Sequence, residues 1–332
     1  MKGFKDIIGN DILKEQFSGA IRTGSISHAY MLSGDRGMGK KRFARAFCQE
    51  LFCEHPVDGG ACGICPSCKK VESGNHPDVI WLRAEKPEVI KVDEIRQQIV
   101  DTVDIRPFLG DRKIYIIPDA DRMNPQAQNS LLKVLEEPPE YVTIFLLCCD
   151  EAALLETILS RVIRLKLKPR TDSMVKEYLK RHFPDAEDMS LDLAVAFSRG
   201  NVGRAEDLLS EEGFKEMYAA VTDTCRSLRT MDAGRIAHAA RRLASECGDT
   251  GDVLDLMQLW YRDLMMYKVT RDIGGLLFKT ERKAMMELAP VCSYEGIEDI
   301  MDAIETCRTR LKANVNPELS FELMLCRMKE NQ

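Results

Sequence analysis

The 332-residue sequence contains no stretch able to cross a bilayer. Its longest apolar run, Val142 to Cys149, falls far short of the roughly 20 residues that a transmembrane helix needs. The N-terminus, Met1-Lys2-Gly3-Phe4-Lys5-Asp6, lacks the apolar core of a signal peptide. There is no excess of positive charge: 47 Lys and Arg stand against 53 Asp and Glu, a net charge of -6. A protein that grips nucleic acid unaided carries a basic footprint, so any contact with DNA is expected to be local or shared with partners. Basic residues do cluster at Lys40-Lys41-Arg42 and between Arg161 and Arg170. No low-complexity tract and no internal repeat interrupts the chain. These absences point to a cytoplasmic protein, away from membranes, whose 12 Cys are reduced thiols or metal ligands.

What is present divides at about Pro169. Before it, short β-branched runs alternate with helical stretches: His28 to Leu32, Val79 to Leu82, Ile114 to Ile117, Thr143 to Leu147 and Val162 to Leu165. Runs this continuously apolar suit strands buried on both faces, and helices between them predict a parallel α/β sheet. One intervening helix is clearly punctuated. Asn124 can cap it, Pro125 fits its first turn, Leu131, Leu132 and Leu135 line one face, and Pro138-Pro139 stop it. After Pro169 the strand-like runs vanish and amphipathic helices continue to Gln332, including Val253 to Lys268 and Pro317 to Lys329. The spacing predicts an α/β domain over 1–169, a small helical unit over 170–212 with a break at Gly200 and a cap at Asn201, and a larger helical domain over 213–332.

Directly after the first strand comes Ser33-Gly34-Asp35-Arg36-Gly37-Met38-Gly39-Lys40-Lys41, the G-x-x-x-x-G-K frame of a P-loop in its proper strand–turn–helix setting. Glycines at 34, 37 and 39 let backbone N–H groups surround phosphate oxygens at a helix N-terminus, and Lys40 adds a positive charge. A hydroxyl should follow to ligate Mg²⁺, but Lys41 stands there, and an ammonium repels the metal. The acidic residue expected at the end of a later strand is also displaced. Pro118 follows Ile117, and Asp119 comes one residue later, where only an inward turn of the backbone would bring its carboxylate to the metal. Two losses at one metal site predict weak nucleotide binding, or none, without Mg²⁺-dependent turnover.

Cys53, Cys62, Cys65 and Cys68 form C-x8-C-x2-C-x2-C. Four thiolates complete a tetrahedral Zn²⁺ site and leave no position open for catalysis, so the expected role is structural. Gly59, Gly60, Gly63 and Pro66 between them predict tight turns rather than helix or strand. An iron–sulfur cluster is the rival, since C-x2-C-x2-C occurs in ferredoxins, but the fourth Cys lies upstream here and no C-x3-C-P follows. Cys48 and the pair Cys148-Cys149 read as small core hydrophobes.

A phosphate loop, a cysteine insert just after its helix and two helical domains are accompanied by specific words: Ile26-Ser27-His28-Ala29-Tyr30, Ser73-Gly74-Asn75-His76-Pro77-Asp78, Asn129 to Pro139, Ile158-Leu159-Ser160-Arg161 and Ala313-Asn314-Val315-Asn316-Pro317. Together they make the chain resemble clamp-loader AAA+ proteins, most closely the delta-prime subunits of bacterial DNA polymerase III. The resemblance implies an AAA+ α/β core, a helical lid and a collar domain that joins subunits into a ring-like pentamer. It implies tau/gamma-like and delta-like partners, and action on a sliding clamp and primed DNA through the complex. It identifies Arg161 as an arginine finger offered in trans to ATP on a neighbouring subunit, with Val162 departing from the usual Ser-Arg-Cys. Arg204 resembles a nucleotide-sensing lid arginine, and reads equally as a solvated helix Arg. The tau/gamma motors keep the two groups lost at Lys41 and Pro118, whereas delta-prime subunits often lack them. An independent AAA+ motor acting on DNA, and a zinc-dependent nucleic-acid-binding module, are the competing readings.

Overall fold

The computed structural model describes residues 2–332 apart from 87, 185, 187 and 211. The chain forms two compact units, Met1–Met174 with Asn201–Arg204, and Val175–Gly200 with Ala205–Gln332.

The first unit is built on strands β1 (Ala29–Ser33), β2 (Val79–Trp81), β3 (Lys113–Ile117), β4 (Val142–Cys148) and β5 (Ile163–Lys166). They form one sheet in the order β2-β3-β4-β1-β5, every pairing parallel. This is the α/β core expected of an AAA+ P-loop module. Because side chains alternate across a strand, the central strands feed two separate cores. Met31, Tyr115, Ile117, Ile144 and Leu146 point to one face, where they pack with Ile95 of α4 (Val92–Gln98), Leu131 and Leu135 of α5 (Pro125–Glu136) and Ile158 of α6 (Glu156–Leu159). Tyr30, Leu32, Ile114, Ile116, Phe145 and Leu147 point to the other, against Phe17 of α1 (Asp11–Thr23) and Phe43 and Phe47 of α2 (Lys40–Phe52). There Phe47 and Phe145 have ring centroids 4.9 Å apart and Phe17 meets Phe47 edge-on at 5.1 Å, a geometry aromatic quadrupoles favour.

The predicted α5 forms as read. Asn124 accepts the Ala127 N–H at 2.8 Å, Pro125 occupies the first turn, and Leu131 and Leu135 are buried while Leu132 packs at the core's edge. The expectation that all five strands are buried on both faces fails at β5. It lies at the sheet edge, and Ile163, Arg164 and Lys166 are exposed. Charged residues on an edge strand discourage further strand pairing.

The second unit is helical throughout its described residues. Its elements, together with the helix ends it shares with the first unit, are α7 (Asp172–His182), α8 (Asp188–Ser198), α9 (Val202–Ser210), α10 (Glu212–Ser227), α11 (Ala233–Ser245), α12 (Thr250–Thr270), α13 (Arg282–Leu288), α14 (Tyr294–Lys312) and α15 (Pro317–Glu330). Helix α12 buries Leu254, Met257, Trp260 and Leu264, and α15 buries Phe321, Met324, Leu325 and Met328, packing against α11 and α14. Asp263 is buried on α12 and accepts the N–H groups of Leu277 (2.6 Å) and Phe278 (2.8 Å), which ties the following loop to the helix. Burial raises its pKa. Among the described residues no helix is long and apolar enough to cross a membrane.

Candidate nucleotide and metal sites

Ligands in open α/β sheets sit beyond the carboxyl ends of the strands, and the P-loop leaves the carboxyl end of β1. Gly37 (φ +86°) and Gly39 (φ +88°) both adopt left-handed backbone, which a side chain disfavours, and α2 starts at Lys40. Lys40 is buried, and its Nζ donates to the carbonyls of Gly34 and Asp35 and lies 3.2 Å from the Cys149 Sγ. The lysine of the P-loop motif is thus held by its own loop. Lys41 is exposed, and its Nζ lies 3.7 Å from Oδ2 of Asp119. Asp119 has positive φ (+51°), and its carboxylate, 42% exposed, stands beside the Lys41 ammonium.

The opposite side of the loop is clasped by residues 201–204. Nδ2 of Asn201 donates to the Arg36 carbonyl at 2.6 Å, the Gly203 N–H donates to the Gly37 carbonyl at 3.1 Å, and Oδ1 of Asn201 caps the Arg204 N–H at 3.1 Å. Asn201 therefore caps α9 as read, and Arg204 sits half-buried in its first turn. A methyl group on Gly203 would come within 2.6 Å of the Gly37 carbonyl oxygen, so the approach requires glycine at 203. Composition and spacing did not reveal this clasp.

Arg161 lies elsewhere. It follows α6 and precedes β5, which runs parallel to β1 with Ile163 opposite Tyr30 and Lys166 opposite Ser33. Arg161 therefore precedes the amino end of β5, whereas the P-loop leaves the carboxyl end of β1, the length of the paired strands away. It is partly exposed, 2.9 Å from Oε1 of Glu136 and donating to the Thr157 carbonyl at 2.9 Å. The sheet brings Gly34, Gly37, Gly39, Lys40, Lys41, Asp119 and Arg204 around one loop and leaves Arg161 out of it.

The four cysteines converge at the end of α2. Their sulfurs all lie within 4.8 Å of one another, and a tetrahedral ion with metal–sulfur bonds near 2.3 Å holds sulfurs about 3.8 Å apart. The spacing suits one metal ion and is too tight for a cluster with several metal atoms between the sulfurs. Backbone N–H groups of Cys62, Cys65 and Cys68 point at the sulfurs of Cys53 (3.2 Å), Cys62 (3.3 Å) and Cys65 (3.4 Å). N–H groups of Ile64 and Cys65 aimed at its sulfur favour the Cys62 thiolate and pull its pKa down to about 6. Such donors suit thiolates. Between Val57 and Gly60 two backbone hydrogen bonds close a tight turn, with Asp58 and Gly59 at positive φ. The expectation of turns alone stops short at Pro66, which opens helix α3 (Pro66–Ser73) with Cys65 as its cap. Among the remaining cysteines, Cys48 and Cys148 are buried as expected, but Cys149 is exposed. It has left the sheet, with its N–H on Oδ1 of Asp121 (3.2 Å) and its sulfur beside Lys40.

Residues 9–171 match the family described as DNA polymerase III, delta subunit, and residues 218–330 match its C-terminal family. A DNA polymerase III subunit tau from Bacillus subtilis is 27% identical over 351 residues, covering 98% of this chain and 61% of its own length. A gamma subunit-related protein from Thermotoga maritima aligns in three dimensions with a TM-score of 0.44 at 20% identity, over 95% of this chain and 99% of that one. A DNA polymerase III subunit delta' from Pseudomonas aeruginosa is 31% identical over 306 residues, 90% of each chain, and with that similarity along nearly its whole length this chain belongs to the DNA polymerase III delta' family.

Proposed function

We propose that this chain is a non-hydrolysing subunit of a clamp-loader hetero-oligomer, joined to tau/gamma-like and delta-like subunits, and that it helps place a sliding clamp on primed DNA in the cytoplasm. Residues 1–169 serve as its AAA+ core, 170–212 as the lid and 213–332 as the collar through which subunits join. The observation that carries the non-hydrolysing part is the Lys41–Asp119 pair at 3.7 Å. Hydrolysis needs Mg²⁺ between the β- and γ-phosphates, with a hydroxyl and an acid holding it. Here the hydroxyl is replaced by a cation and the acid already faces that cation. An independent motor would have to hold Mg²⁺ against the Lys41 charge.

Arg161 is the residue we assign to catalysis by the complex. Before the amino end of β5 it is a strand length from this chain's own P-loop, which supports a role on a neighbour's ATP. There it would exchange Glu136 for the charge developing on the transferred phosphoryl group. Arg204, in the first turn of α9 beside the P-loop, would sense nucleotide bound there. Cys53, Cys62, Cys65 and Cys68 hold structural Zn²⁺, a role supported by four protein ligands and N–H groups directed at three of the sulfurs.

The test is a pair of measurements on the full chain. Affinity capture from its own cell extract should recover tau/gamma-like and delta-like subunits, and the purified chain should not turn over ATP with Mg²⁺. A homomeric assembly that hydrolyses ATP would reverse the assignment.

A further inference from the structure

Just before β3, the segment 104–112 presents Ile105, Phe108 and Leu109 to solvent, 60%, 81% and 53% exposed. Isolated exposed apolar residues are ordinary; three within five residues on a fixed backbone are not. The backbone is fixed from beneath. Asp78, almost fully buried, accepts the N–H groups of Phe108 (2.5 Å), Leu109 (2.8 Å) and Gly110 (3.1 Å). The Lys113 Nζ donates to the carbonyls of Thr102 (2.7 Å) and Ile105 (3.1 Å).

That support continues into the cysteine knuckle by two routes. The Asp78 N–H donates to Nδ1 of buried His76 (3.2 Å), which leaves the ring proton on Nε2, 3.1 Å from the Ser67 Oγ. Ser67 immediately precedes Cys68, and its N–H donates to Oε1 of Glu54 (3.0 Å), the residue after Cys53. The second route is aromatic. Phe52, the residue before Cys53, stacks on His76 with centroids 4.4 Å apart, and Gly110 lies so close that a methyl group there would be 3.0 Å from the Phe52 ring. Residues flanking Cys53 and Cys68 thus hold the His76 end of the brace, while its Asp78 end is tied to β3 by the Ile114 N–H donating to the Asp78 carbonyl (2.8 Å). A cavity of about 430 Å³ is lined by residues of both the knuckle and the loop, among them Cys53, Ser67, His76, Leu109 and Gly110. The cysteines pack as a cluster of their own with Ala61, apart from the two sheet cores.

We propose that the tetracysteine knuckle is the strut of this apolar loop: with metal held, Phe108 and Leu109 are presented in one position, and without it they are released while the sheet stays folded. The inference rests on the reading of the knuckle as a metal site and adds what the metal controls. Amides whose hydrogen bonds open locally exchange faster than those of a folded core, so hydrogen exchange reads the coupling directly. The experiment compares full-length protein as purified with protein treated with a chelator, metal content being measured on both.

Metal removal should speed exchange at residues 108–110 at least tenfold and leave β3 and β4 unchanged. His76→Ala should keep its metal yet show the same release at 108–110. Unchanged protection of the loop in metal-free protein would overturn the coupling while leaving the metal site intact, as would equal loss of protection across the whole sheet. Retained protection in metal-loaded His76→Ala would remove the polar route. Protein that takes up no metal would overturn the site and the strut together.

Discussion

The P-loop and the cysteine knuckle lie at opposite ends of one helix, α2, and they have kept different things. The P-loop has kept its shape: its glycines still take left-handed backbone and Lys40 is still gathered into the loop. Where the motif would place a metal-binding hydroxyl and acid, it carries a Lys41–Asp119 pair. The knuckle has little regular structure before Pro66, yet its four ligand atoms lie within 4.8 Å of one another. A phosphate loop that also bridges Asn201 and Gly203 is part of how its unit packs, so its form is retained independently of catalysis. A knuckle has no form to retain without its ligands, because turns this short cannot bury enough apolar surface to hold themselves.

The contrast is tested hardest at Arg161. In the assembled complex Arg161→Ala should lower DNA-stimulated ATP hydrolysis by about a thousandfold or more while assembly is unchanged by gel filtration. A small effect would mean that this subunit lends no chemistry to any neighbour. Next, Cys65→Ser should reduce bound metal from one equivalent to near zero, measured by elemental analysis; a retained equivalent would overturn the ligand set. Gly203→Ala probes the retained shape. Its methyl group would meet the Gly37 oxygen at 2.6 Å, and a loss of about 1–3 kcal/mol in urea unfolding is expected. No loss would mean the clasp yields freely. The smallest effect is on pH. Burial, with help from Lys70 and against Asp78 and Glu54, lowers the His76 pKa from 6.5. Between 6.5 and that lower value the unfolded chain binds more protons, so stability is full above pH 6.5 and falls as pH drops below it. Replacing His76 with Gln should flatten that part of the stability curve.

The strands, α5, the P-loop and the cysteine set were legible because each is a local pattern, a period or a fixed spacing. The losses at Lys41 and Pro118 were legible for the same reason, but their pairing was not, since Lys41 and Asp119 meet only once β1 and β3 lie in one sheet with β4 between them. Burial of β5 was overestimated because apolar Val162, Ile163 and Leu165 do not reveal that the strand ends a sheet. Cys149 was misassigned with Cys148 because the strand stops between them. The His76–Asp78 brace was visible only as part of a familiar word. Its partners are Ser67 on one side and residues 108–110 on the other, too far along the chain for spacing to connect them.

The placement of Arg161 and the P-loop at opposite ends of paired strands has a geometric consequence. If Arg161 serves the site of a different subunit without reciprocation, the contact joins two unlike surfaces and is heterologous. An assembly built on it has a direction, as a one-way street does.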